Sequence, residues 1–116
     1  MEKPQAELLS ALTALERVMA DTQAVLSAAA GTYHTLGARI EERIPVAEAF
    51  SDMAMPWAEV ARQLDELERA RHRVRTAVFA LGLSEGMSIG ELGRLYGFSK
   101  QLAARVAREA RDSPAD

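Results

Sequence analysis

The stretch Gly86-Met87-Ser88-Ile89-Gly90-Glu91-Leu92-Gly93-Arg94-Leu95-Tyr96-Gly97-Phe98-Ser99-Lys100-Gln101 decides how this chain is read. Ser88 and Glu91 have the spacing of a capping box, in which the serine hydroxyl accepts from the Glu91 amide and the carboxylate reaches back to the Ser88 amide. A helix is therefore expected from Ser88 to Tyr96. Leu92, Leu95 and Tyr96 give it an apolar side, and Gly93 offers no side chain where a second helix must pack closely. Gly97 supplies the turn, because the backbone there needs a positive φ that glycine adopts without steric cost. Phe98 is placed to plug the core beneath that turn. Ser99 then caps a second helix, Ser99 to Arg111, with Leu102, Ala103 and Val106 inward and Lys100, Gln101, Ala104, Arg105 and Arg108 on another face.

About 25 residues bury too little area to fold alone, so the preceding segment must complete the core, with Val74, Val78, Phe79 and Leu81 as its contributors. That segment reads as a long helix starting at Pro56, a proline in the first turn, and broken by the Gly82 to Gly86 stretch. Along it Trp57, Val60, Leu64, Leu67, Arg71, Val74, Val78 and Leu81 recur at alternating steps of three and four, a seam interrupted only by Arg71. Farther back, Leu8, Leu12, Leu15, Met19, Thr22, Leu26, Ala29, Tyr33, Leu36 and Ile40 form a second seam that Pro45 ends. Gly31 and Gly37 weaken its middle and leave one helix or two open. Val46 to Met55 connects the seams, with Ser51 and Asp52 as possible helix caps. Trp57, beside Met53 and Met55, reads as an apolar anchor at a helix start or as the lining of a pocket. Nowhere do β-branched and polar residues alternate over a strand's length, so no sheet is expected.

The chain of 116 residues has a formal net charge of -3, but the charge is segregated. Residues 1 to 68 hold five basic against twelve acidic side chains, whereas residues 69 to 111 hold nine basic against three acidic. A net acidic chain with such a split still presents a basic face to phosphates. The absence of cysteine removes disulfides, thiolate metal sites and cysteine nucleophiles. His34 and His72 read as surface residues. No metal, cofactor or catalytic set is expected, since neither a phosphate-cradling glycine loop nor a histidine beside a nucleophile is present. No apolar run approaches the length of a membrane span, and the N-terminus lacks a secretory pattern, so a soluble cytoplasmic protein is expected.

Residues 86 to 101 resemble the helix-turn-helix of bacterial DNA-binding regulators and are similar to the C-terminal promoter-reading region of sigma factors. Gly93, Gly97, Phe98 and Ser99 match that pattern in order: a small residue in the first helix, a turn glycine, a hydrophobic residue and a hydroxyl cap. The chain departs in having Gly93 where alanine is commoner and Ala103 where a larger branched residue usually packs, which predicts a closer approach of the helices. The resemblance implies a second helix docked in the major groove of double-stranded DNA. Base contacts would then come from Lys100, Gln101, Ala104 and Arg105, with Gln101 suited to adenine and Arg105 to guanine. Phosphate contacts would come from Ser88, Arg94, Ser99 and Arg108.

The expected fold is thus all-α: long heptad-patterned helices, as a helical hairpin or an intermolecular bundle, followed by a C-terminal helix-turn-helix. Residues 1–55 form a helical or coiled-coil dimerisation region, and 56–116 a long helix with the DNA-binding module. The expected function is sequence-specific binding of double-stranded DNA as a homodimer, by a bacterial transcriptional regulator and most simply a repressor. The alternatives are a plasmid, phage or chromosome-organising DNA-binding factor, and a helical adaptor whose C-terminal helices bind protein. The run Glu66, Glu68, Arg69, Arg71, Arg73 and Arg75 reads as a solvated ion-paired face or as a stripe touching flanking phosphates.

Overall fold

The structure, a computed structural model, describes residues 2–112. Five helices follow one another, with no strand among the described residues: α1 (Lys3–Glu41), α2 (Val46–Phe50), α3 (Trp57–Ser84), α4 (Ile89–Tyr96) and α5 (Lys100–Asp112). The all-α class expected from the sequence is what forms. α1 runs unbroken through Gly31 and Gly37, so the open question of one helix or two resolves to one. α3 ends at Ser84, inside the Gly82 to Gly86 stretch expected to break it, while Gly82 itself stays helical. Leu92 lies across Gly82, where a Cβ would come within 2.5 Å of Leu92 Cδ2, so the glycine serves packing rather than termination.

The helix ends repeat one device. After α3, Gly86 takes φ 93° and the Met87 amide donates back to the Gly82 carbonyl at 2.9 Å. After α1, the Ile44 amide donates to the Arg39 carbonyl at 3.1 Å, with Arg43 at φ 64° in the left-handed position usually given to glycine. The connector holds the short α2. Ser51 closes that helix instead of opening another, its amide and hydroxyl both donating to the Glu48 carbonyl. Asp52 caps nothing either; it is ion-paired to Arg39 at 2.6 Å, and that hydrogen bond and charge hold its carboxyl below its ordinary value.

The chain divides into two compact units, Met1–Glu16 with Glu68–Asp116, and Arg17–Leu67. The division falls within α1 and α3. In the Arg17–Leu67 unit the two helices run antiparallel. Gln63 Nε2 donates to Thr22 Oγ1 at 2.9 Å, and that hydroxyl donates to the Val18 carbonyl at 2.7 Å. Both side chains are buried, as are Ala29 and Ala49.

The seams form, but half of each is displaced by one residue. α1 turns Val18, Thr22, Val25, Ala29, Thr32 and Leu36 inward, leaving the expected Met19, Leu26, Tyr33 and Ile40 exposed. α3 turns Val60, Gln63 and Leu67 inward and leaves Trp57 and Leu64 exposed, so Trp57 at the helix start lies beside Phe50, centroids 6.2 Å apart, without being buried. The helices meet across alanine, threonine and glutamine, whereas the reading from sequence followed the larger residues next to them. The shift also places Arg71 outside the seam, paired with Glu68 at 2.7 Å.

In the other unit, Arg73 of α3 donates to Glu7 and Ser10 of α1, and Ala11 and Ala77 are buried while Leu12 is not. Its core is Phe79, Leu92, Ala103, Val106 and Ala107. Val78 packs against this cluster as expected, but Leu83, Met87 and Ile89 take the places assigned to Val74 and Leu81. α3 thus supplies the floor on which α4 and α5 rest.

Candidate nucleic-acid interface

α4 and α5 are positioned by local rules that the sequence states openly. The capping box is complete: Ser88 Oγ accepts from the Glu91 amide at 3.0 Å, and the Ser88 amide donates to Glu91 Oε1 at 2.9 Å. The Ser88 amide bond to the carboxylate, and after it the Ser88 hydroxyl beside that carboxylate, hold the Glu91 carboxyl below its ordinary value. At the other end Gly97 sits at φ 69°, its amide reaching the Arg94 carbonyl, while the Phe98 amide donates to the Gly93 carbonyl at 2.9 Å. This pair of bonds satisfies carbonyls that would otherwise hang free and fixes the direction in which the chain leaves α4. Ser99 Oγ then accepts from the Leu102 amide at 3.1 Å and starts α5.

The close approach predicted at Gly93 and Ala103 is present. A Cβ on Gly93 would stand 2.9 Å from the Ala103 Cβ, closer than side chains tolerate, so only glycine permits this helix contact without movement. Beneath the turn Phe98 stacks on Tyr96 with centroids 5.0 Å apart, and both rings lie near Phe79 at 6.2 and 6.0 Å. Burial in this aromatic cluster raises the Tyr96 hydroxyl pKa. Leu95 does not join the apolar side of α4 as expected; it is 68% exposed.

α5 buries Ala103, Val106 and Ala107, with Leu102 and Ala110 half-buried beside them. At 100° per residue the opposite face carries Gln101, Ala104, Arg105 and Arg108, flanked by Lys100, and all five are exposed. Arg94 on α4 is exposed as well. Among the described residues, none of Arg94, Lys100, Arg105, Arg108 or Arg111 has a carboxylate within ion-pairing distance. Arg39, Arg62, Arg71 and Arg73 all do. Lys3, Arg17, Arg43, Arg69 and Arg75 also lack a carboxylate at that distance among the described residues, but they lie outside α4 and α5.

The serines differ in what they have left to give. Ser88 has spent its amide and its acceptor on Glu91, so only its hydroxyl proton remains, beside a carboxylate. Ser99 also keeps a hydroxyl proton, and the following amides of Lys100 and Gln101 belong to the first turn of α5, where no intrahelical acceptor exists. The start of α5 is therefore the more receptive of the two to an anion.

A polar group not legible in the sequence lies behind α5, where Glu109 Oε2 is buried without a hydrogen-bond partner among the described residues. Arg75 Nη2 donates to His72 Nδ1 at 2.6 Å, and His72 Nε2 lies 3.3 Å from Glu109 Oε2 on α5. A guanidinium has no acceptor, so His72 Nδ1 accepts and the ring proton sits on Nε2, toward Glu109. The Arg75 guanidinium also lies 5.6 Å from the centroid of the Phe98 ring. The only sequence signal was the i,i+3 spacing of His72 and Arg75; nothing in the spacing joins either to Glu109. Among the described residues, no three of His, Asp and Glu gather as a metal site, and no helix is long and apolar enough to cross a membrane. Set against family models, curated proteins and solved structures, the chain matches none.

Proposed function

We propose that this chain binds double-stranded DNA with α4 and α5 acting as a helix-turn-helix, and that it is a cytoplasmic bacterial transcriptional regulator working as a homodimer. The observation that carries the reading is the division of α5: an apolar back seated in a core, and an outward face of Gln101, Ala104, Arg105 and Arg108 with no protein partner. A side chain left without an internal partner keeps its hydrogen bonds for a ligand, and cations clustered this way suit phosphates and base edges.

In this mode α5 enters the major groove. Gln101 is suited to adenine and Arg105 to guanine, each by a bidentate contact, while Lys100 reaches a base or a phosphate. Ala104 lies between them and is small enough to let the helix approach the base edges. Arg94, Arg108, the Ser99 helix start and the Ser88 hydroxyl set register on the phosphates. Repression is the simplest consequence, since it needs only occupancy of a promoter. Exposed Leu95 favours a second reading, in which this pair of helices meets a protein instead.

Selection of bound fragments from random duplex DNA tests the reading, with an enriched sequence expected. On that sequence Arg105→Ala should cost about 1 to 3 kcal/mol and relax preference at one base pair, whereas Arg94→Ala should weaken all sequences alike. Binding unchanged in both variants, or no enrichment, would defeat it.

A further inference from the structure

The Arg17–Leu67 unit leaves much large apolar surface uncovered within one chain. Its buried residues are Thr22, Ala29, Ala49 and Gln63, while Met19, Leu26, Tyr33, Ile40, Trp57 and Leu64 are each 44–55% exposed. The exposed set is ordered. Met19, Leu26, Tyr33 and Ile40 are seven residues apart, and Gln23, Ala30 and Gly37 fall between them, so that α1 carries a second seam at steps of four and three. From Leu26 to Ile40 large residues alternate with the small Ala30 and Gly37, and the space above Gly37 is open, with no heavy atom within 4 Å of where a Cβ would stand.

Trp57 and Leu64 extend the same face. In an antiparallel pair, residues displaced in the same rotational sense from the two contact lines come out on one side, and Tyr33 and Trp57 meet there with ring centroids 6.4 Å apart. None of these nine positions is charged. The opposite edge of the pair is polar and carries the Arg62–Glu66 ion pair.

We propose that this face is where two copies of the chain associate, the second α1 seam of each packing on the other copy to give a four-helix arrangement. A heptad row sustained over more than three turns is the spacing that a second helix matches, which makes the occupant helical. An uncharged row offers no complementarity by which a partner of opposite charge would be chosen, and alternating large and small residues allow it to fit a copy of itself in an isologous contact. Six half-exposed side chains of this size leave on the order of 600 Å² in water per chain, and the intervening small residues bring the face close to the ~800 Å² per partner of a standard interface. The inference specifies the homodimer of the proposed function and stands apart from its DNA contact.

The test is the mass of the full chain by sedimentation velocity without DNA, read beside the emission of Trp57, the only tryptophan. Twice the chain mass is expected, with dilution shifting Trp57 emission to the red as the dimer dissociates. Leu26→Glu with Tyr33→Glu should give the single-chain mass at unchanged helical circular dichroism, since both side chains already stand in water within one chain. Arg62→Glu, on the opposite edge, should leave the dimer intact. A parent that stays single at every concentration with constant Trp57 emission would overturn the inference, as would a dimer that survives the double substitution. The parent's own dilution curve decides the matter even if the double variant fails to fold. DNA binding by a single-chain species would overturn the dimer face while leaving the α5 contact standing.

Discussion

The two units differ in the size of what they bury. Around α4 and α5 the core sets the large, fully buried Phe79, Leu92 and Val106 beside Ala103 and Ala107, and the exposed side chains are mainly polar. In Arg17–Leu67 the fully buried ones are small or polar, Val18, Val25, Leu36, Val60 and Leu67 are half-buried, and Met19, Leu26, Tyr33, Ile40, Trp57 and Leu64 stand exposed. Burial of apolar area scales with the size of what is buried, so the first unit stabilises itself from within one chain while the second has little internal drive of its own. A recognition surface benefits from the first arrangement, because side chains that read bases must be held by a rigid backing. A long scaffold that meets another molecule benefits from the second.

The sharpest way to break this contrast is to remove a large core residue. Phe79→Ala should lower unfolding free energy by about 3 to 5 kcal/mol, since Phe79 is fully buried and in contact with both Tyr96 and Phe98. Urea unfolding followed by circular dichroism measures it. A loss below about 1 kcal/mol would mean that α4 and α5 rest on something other than this cluster.

A smaller effect sharpens the other side. Thr22→Val leaves the buried Gln63 amide without its acceptor and should cost about 1 to 3 kcal/mol, whereas Thr22→Val combined with Gln63→Leu should recover most of that loss. Urea midpoints of the two variants compare directly. If the double variant is the less stable one, the polar pair contributes more than its own desolvation, and the second unit has more internal drive than its burial pattern implies.

The least effect concerns pH. The Glu91 carboxyl is held below its ordinary value by Ser88, so the capping box contributes fully above the ordinary glutamate range and is lost as pH falls through the depressed value. Glu91→Gln keeps an acceptor for the Ser88 amide but does not titrate. The gap in stability between parent and variant should therefore shrink on acidification, and a gap that stays constant with pH would remove the ionised capping box from α4.

What was legible in the sequence was local. The capping box, the left-handed Gly97, the Ser99 cap and the Gly93 contact each follow from a few neighbouring residues whose backbone needs are specific, and all four form. The outward set on α5 was legible for the same reason, since one turn of helix fixes which residues share a face. What was not legible depended on partners distant in sequence. Two seams one residue apart satisfy the same heptad rule on α1 and α3, and only the packing of one helix on the other selects the narrower. That Gly82 packs on a neighbour, at the start of the stretch that does end α3, was not legible because Leu92, which needs its missing side chain, lies ten residues on. His72 is exposed as expected, but nothing local points to its nearness to Glu109. Leu95 shows the converse: an apolar residue inside a well-formed short helix can still fall on its wet side.

The salt dependence of DNA affinity tests the central claim most directly. Each phosphate neutralised by a lysine or arginine contributes about -0.9 to the slope of log affinity against log salt on duplex DNA. The parent should show a steep negative slope on its selected duplex, and Arg94→Ala with Arg108→Ala should flatten it by roughly 2 per chain. Affinity that does not vary with salt, or a slope that is the same in parent and double variant, would contradict the assignment of this face to DNA.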